Sequence, residues 1–348
     1  MTIRPQWKQT FSLFNDYIVS NPEIYIDSHE IAIPEHLRDV FYEHFDKVRR
    51  SVVESWQNSY DLDVDTLGKS YTGFESELIR LLNLKQIHLP VNIESFLHDP
   101  KEGMIRSLYD RMFHLIQGKI SQDDFESLAE MDLAESTVEM FRLGYEPWAA
   151  LALILLLEPD EAFRVELDDD GNTLTVPLDE VAFGRQFSHP AKRIPEFIIH
   201  SKKLNSYIAF KMPLAREVDM YILPVEIPTK RLLRDRTGDT SAVLDFRIIF
   251  LSVVSDLNKI PVFADLHKRE LKGPDLMVEF LMGHDISDEH AVFQVQKHIE
   301  TIKPERGGNI VIMNPDENQI ESEPKVNIDT YAVGLDQSKL QPILDKLN

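Results

Sequence analysis

Apolar residues recur at helical spacing through the first 157 residues of the chain. Trp7, Phe11, Phe14 and Ile18 fall at i, i+4, i+7 and i+11, which is one face of a helix. Asn21-Pro22 ends it, because a proline restricts the residue before it. A short extended piece over 24–33 follows. Pro34 then suits the first turn of a second helix, whose stripe runs through Leu37, Phe41, Phe45, Val48, Val52 and Trp56. The pattern predicts further helices over 72–84, 93–97, 101–117, 122–129, 135–143 and 147–157. Phe74, Leu78, Leu81 and Leu82 give one of them a core face, and Ile105, Leu108, Met112 and Leu115 give another. Gly118 and Gly144 stand where C-terminal caps belong. Ser121 before Asp123 and Asp124 has the composition of a helix start. Short helices with short connections imply a compact bundle or a stacked array. No motif recurs at the period of about 34 residues that marks one common helical repeat.

The period changes after residue 160. Arg164–Pro177 alternates on both sides of Asp169-Asp170-Gly171-Asn172, and Asp-Gly is the signature of a type I′ hairpin turn. Runs rich in β-branched and aromatic residues then follow one another. They cover 207–214, 218–227, 244–254, 260–266 and 276–281, with short polar breaks that suit antiparallel neighbours. Residues 240–257 also fit one buried helix, since periodicity does not separate the two for a continuous apolar run. Strand is the favoured reading. A helix over 287–303, strands over 309–313 and 326–333, and a closing helix over 337–347 complete the chain. The expected fold is α+β: an N-terminal all-α domain, 1–160, then a mainly antiparallel β domain, 161–348, ending in α/β elements.

Composition adds a compartment and a charge asymmetry. The chain has 348 residues and no cysteine, which removes disulfides and thiolate chemistry. The longest apolar run, Trp148–Leu157, falls short of the roughly 20 residues a membrane span needs. The first residues lack the apolar core of a secretory signal, so a soluble cytoplasmic protein is expected. The formal charge is −22. Residues 1–184 hold 15 Lys/Arg against 35 Asp/Glu, whereas residues 185–275 hold 16 against 11. A basic island therefore stands between two acidic arms.

Candidate chemistry is sparse. His36, Asp39 and Glu43 share a helix face beside His44, a spacing that can ligate a metal, but the face lies opposite the apolar stripe and points to solvent. Asp61, Asp63 and Asp65 resemble the start of a calcium loop, yet Thr66 and Thr72 occupy the positions that need Gly and Glu. An acidic loop is the reading there. Asp168–Asp170 reads as a solvated hairpin tip. Lys230, Arg231, Arg234 and Arg236 place four cations in seven residues, and arginine forks match phosphate oxygens. These four are the expected anion-binding residues, for a phosphate-bearing small ligand. A polyanion such as bulk nucleic acid would be repelled by the overall charge. A nuclease of the restriction-endonuclease type would need Asp on one strand and Glu-x-Lys on the next. Asp219 and Glu226-Ile227-Pro228-Thr229-Lys230 miss that spacing. His284-Asp285 occurs in some hydrolases but reads here as part of a helix start, and His290 and His298 show no partner. No metal, cofactor or membrane is called for. The leading expectation is a non-enzymatic interaction or regulatory protein, its helical domain contacting a partner protein or a second copy and its basic loop docking an anion. The alternative is a metal-dependent phosphoester hydrolase using residues such as Asp219 and Glu226.

Overall fold

The structure, a computed structural model, describes residues 6–56, 62–183, 192–213, 248–265, 270–315 and 328–348. It is a mixed α+β chain in two compact units, Met1–Lys69 with Val91–Phe141 and Ser70–Pro90 with Arg142–Asn348.

The first unit is helical. It contains α1 (Gln6–Ser20), a hairpin of β1 (Tyr25–Ile26) and β2 (Ile31–Ala32), and α2 (Glu35–Ser55). It also holds the start of α3 (Val64–Leu82), then α4 (Val91–His98), α5 (Pro100–Ser107), α6 (Tyr109–Ile116) and the first turns of α7 (Gln122–Leu156). The stripes expected for α1 and α2 face inward: Trp7, Phe11, Phe14, Phe41, Phe45, Val48 and Val52 are all buried. Their rings meet at aromatic contact distance, Phe14 lying 5.0 Å from Phe41 and Trp7 5.0 Å from Phe125. Gly118 ends α6 as expected, at φ +66°, with its N–H donating to Leu115 O and that of Lys119 to His114 O. That is the paired C-terminal arrangement only a left-handed residue permits.

Three local expectations need correcting. Residues 62–65 are not simply an acidic loop: α3 starts at Val64, and Asp63 accepts the Thr66 N–H at 2.9 Å as its N-terminal cap. The segment 101–117 is two helices, divided at Leu108. The three helices expected over 122–157 are one, α7, and Gly144 and Pro147 lie inside it. Gly and Pro disfavour a helix interior, but Tyr145, Trp148, Leu151 and Leu153 are fully buried, and tertiary packing overrides the local cost.

The second unit is built on an eight-stranded sheet. Its strands are β4 (Pro159–Leu167), β5 (Thr173–Pro177), β8 (Phe197–Ser201), β9 (Ser206–Lys211), β10 (Ile249–Val254), β13 (Leu276–Leu281), β14 (Gly308–Ile312) and β15 (Asp329–Ala332). The order is β15-β14-β13-β10-β9-β8-β4-β5. From β5 to β13 every pairing is antiparallel, as expected, and from Ile249 onward the segment 244–254 is strand rather than helix. The last two pairings, β13–β14 and β14–β15, are parallel. A parallel neighbour needs a crossover, which α8 (Glu289–Ile302) supplies between β13 and β14. The helix packs so closely that a Cβ on Gly308 would fall 2.3 Å from Ile299. The end of the Ile299 side chain would have to move to admit a larger residue at the start of β14.

Minor elements complete the unit: β3 (Gln86–His88) beside β6 (Glu180–Ala182), and β11 (Ala264–Asp265) between β7 (Lys192–Arg193) and β12 (Glu270–Leu271). A 3-10 turn, Gln337–Leu340, leads into α9 (Gln341–Asp345). Of the strand expected over 260–266, only Ala264–Asp265 is strand among the described residues 260–265. The β4–β5 hairpin is present, but only Gly171 (φ +77°) has positive φ in its turn. A type I′ turn needs two such residues, so the connection is a longer loop closed by Asp168 N–H to Asn172 O. Buried apolar side chains line both faces of the central strands, which explains why they read as unbroken apolar runs.

Candidate ligand-binding site

Strands β4 and β8 part company at one end of the sheet. Their pairing runs from Pro159↔Ser201 to Arg164↔Phe197 and stops there. Beyond Arg164, β4 continues along β5 alone, while the chain ahead of β8 turns into β7 and pairs with β11 in another sheet. The stretch after β5 crosses this fork and forms β6, tied to β3 by Lys85 to Asp179 at 2.7 Å. The fork encloses a cavity of about 490 Å³.

Its walls are Val165, Leu178, Val181, Ile194 and Phe197, all buried. The Phe197 ring is fixed by stacking on Phe210, with centroids 5.1 Å apart and planes 14° from parallel. At the mouth stand Arg164 and Glu166, paired at 2.5 Å, and Glu180, whose carboxylate is 3.5 Å from His88. Deeper lies a second ion pair. Lys211 Nζ is 3.2 Å from Glu196 Oε1, with side chains only 7% and 14% exposed. Backbone register places the two together: Glu196 immediately precedes β8 and donates its N–H to Phe210 O, one residue before Lys211. The Met212 N–H also donates to Glu196 Oε1 at 3.3 Å. Glu196 Oε2 is enclosed and, among the described residues, accepts no hydrogen bond. Burying two charges is tolerable because each neutralises the other.

Sequence reading passed over Lys211 and Glu196. A signal was present, since a lysine inside the run Tyr207–Leu214 demands a buried counter-ion once that run is a central strand. Its partner, 15 residues away, becomes identifiable only with the strand register.

A second hollow of about 460 Å³ lies in the helical unit between α6 and α7. Asp132, Glu135, Ser136 and Glu139 line it from one face of α7, at i, i+3, i+4 and i+7. Arg111 crosses it and holds Asp132 through two hydrogen bonds, of 2.6 and 3.2 Å. Burial, and then the neighbouring Glu135 charge, raise the Glu139 carboxyl above the usual carboxylate range.

The residues singled out from sequence are placed as follows. Lys230, Arg231, Arg234 and Arg236 lie outside the described residues, as do Asp219 and Glu226. His36 is exposed and 3.7 Å from Glu23, while Glu43 is exposed and bound to Lys47. Among the described residues, no three His, Asp or Glu side chains are gathered to hold a metal ion. Asp285 is committed to structure, paired with Arg142 and accepting the Met282 N–H at 3.0 Å. Its neighbour His284 titrates below the usual range, through burial and then the Arg142 charge. His298 does have a partner, contrary to expectation: its Nδ1 is 3.1 Å from both carboxylate oxygens of Glu279 on β13, and both side chains are buried. Among the described residues, no helix is long and apolar enough to cross a membrane.

No family model, no curated protein and no solved structure matches the chain.

Proposed function

We propose that this is a non-catalytic binding protein of the regulatory kind, which takes a small molecule into the cavity at the β4–β8 fork and contacts a protein partner through its helical unit. The observation that carries the reading is the cavity itself, about 490 Å³ with apolar walls and one buried ion pair. Small-molecule sites are concave, roughly 300–1,000 Å³, mostly apolar, and carry a few placed polar groups. Binding rather than turnover is favoured by the lining, which among the described residues has no hydroxyl or imidazole, and by Glu196 and Lys211 being engaged with each other. Partner contact through the helices rests on analogy with other helical arrays. Anion docking at Lys230, Arg231, Arg234 and Arg236 rests on their spacing alone.

A thermal-shift screen of the full chain tests the cavity. The library spans apolar-bodied neutral molecules, nucleotides and phosphate esters. A ligand at 100 times its Kd adds about 2.7 kcal/mol to the folded state, which a melting curve resolves. The expected result is a shift that Ala182→Trp, which fills the cavity, abolishes. A shift only with phosphate compounds, unaffected by Ala182→Trp, would move the site to the basic segment. No shift with any compound would overturn small-molecule binding.

A further inference from the structure

Lys211 and the charges around it define what the cavity can hold. Among the described residues the lining carries two cations, Arg164 and Lys211, and three carboxylates, Glu166, Glu180 and Glu196. An anion entering would meet a net negative surround and would compete with Glu196 for the buried ammonium. A cation reaching the inner end would meet that same ammonium. An uncharged occupant avoids both costs and keeps the benefit of the walls, since apolar surface leaving water is worth about 25 cal/mol per Å².

The buried ammonium supplies the specific contact. A lysine head has three donors. Among the described residues, one goes to Glu196 Oε1 at 3.2 Å. Lys211 lines the cavity, and an ammonium has two donors beyond the one that Glu196 takes. A charge-assisted hydrogen bond from a buried ammonium to a carbonyl oxygen is stronger than a neutral one. Phe197 lines the cavity and is held against Phe210, which does not line it, and an aromatic side chain in a wall suits a planar body.

Building on the proposed binding function, we infer that the cavity selects an uncharged, flat, apolar molecule bearing a carbonyl acceptor, which Lys211 receives while Glu196 keeps the lysine charged and in place. Aromatic ketones, lactones and lactams have this chemistry.

Nile red, an uncharged fused-ring dye with a carbonyl, is the probe. It is titrated into the full chain and followed by fluorescence, beside 8-anilinonaphthalene-1-sulfonate, an anionic dye of similar apolar bulk. Nile red is expected to saturate at one site, with a blue shift, and to bind at least about tenfold more tightly than the sulfonate. Ala182→Trp should weaken Nile red by at least about tenfold. Lys211→Met/Glu196→Gln, which keeps the volume and removes the ion pair, should erase the preference between the dyes while leaving residual apolar binding. Melting curves of each variant show whether it is folded, and Leu178→Trp replaces Ala182→Trp if that variant is not. Equal or tighter binding of the sulfonate overturns this inference; if Ala182→Trp also blocks the sulfonate, the binding function itself survives. Nile red binding unchanged in both filled variants also overturns it. The binding function falls separately, if no dye binds and the thermal-shift screen is silent.

Discussion

Two hollows among the described residues are nearly equal in volume, about 460 Å³ in the helical unit and 490 Å³ in the sheet unit, and opposite in chemistry. Polar stripes on two helices make the first. Arg111 and Asp132 are paired there, and Asp110, Glu135 and Glu139 are exposed to water, so a ligand must displace solvent from charged groups. Strands that diverge make the second. Its walls are apolar, and its deepest polar groups are buried and paired. Volume alone does not make a binding site; the balance of apolar area and committed polar groups does.

The sharpest break in that comparison is to remove one cation from each hollow. Lys211→Met leaves Glu196, 14% exposed with its Oε2 enclosed, without its cation, and breaking a buried pair this way costs up to about 3–5 kcal/mol. Arg111→Met leaves Asp132, which is 19% exposed, with some access to water, so the cost is nearer 1 kcal/mol. Urea unfolding measures both. Lys211→Met/Glu196→Gln should recover most of the loss, because the stranded charge is gone. If Lys211→Met costs no more than Arg111→Met, the buried pair has no special standing and the contrast between the hollows collapses.

That largest effect involves residues that one-dimensional reading passed over, and the reason is physical. Helical stripes are local: Trp7, Phe11 and Phe14 report their shared face through spacing alone, so α1 and α2 were legible. Strand runs such as 276–281 were legible for the same reason, and so was the mixed α+β class. Gly144 and Pro147 misled, because their local signal is real but is outweighed by packing around Tyr145 and Trp148. Parallel pairing of β13, β14 and β15 is a property of topology, invisible to composition. The cavity is non-local in the same way, since it needs the end of β8 beside the end of β9, the fork at Arg164 and the crossing of β6. A charge run such as Lys230–Arg236 is conspicuous in one dimension; a single lysine in a strand is not.

A smaller perturbation fills each hollow instead of breaking it. Ala182→Leu adds apolar volume beside apolar walls and should raise stability by about 0.5–1 kcal/mol, the usual gain from cavity filling. Ser136→Leu puts the same bulk into the charged groove and should change stability by no more than about 0.5 kcal/mol in either direction. Melting temperatures at fixed pH read both. Equal gains would mean that the groove walls are as apolar as the cavity walls, and the distinction would lose its basis.

The least effect is in pH. Burial and the neighbouring Glu135 raise the Glu139 carboxyl, so the folded chain holds that proton more tightly than the unfolded chain does. The sign follows from proton linkage. Where the folded state binds more protons, stability falls as pH rises, so Glu139 penalises folding at neutral pH and the penalty fades on acidification through its raised pKa toward the unfolded value of about 4.3. Glu139→Gln removes the titration. The variant should therefore be more stable than wild type near pH 7, with an advantage that shrinks toward pH 4 in paired denaturation curves. Solvent access to the groove keeps the difference small. An advantage that instead grew on acidification would mean that a cation, Arg111 or His114, governs Glu139 in place of Glu135, and the groove would then be a balanced ion network instead of an acid-lined one.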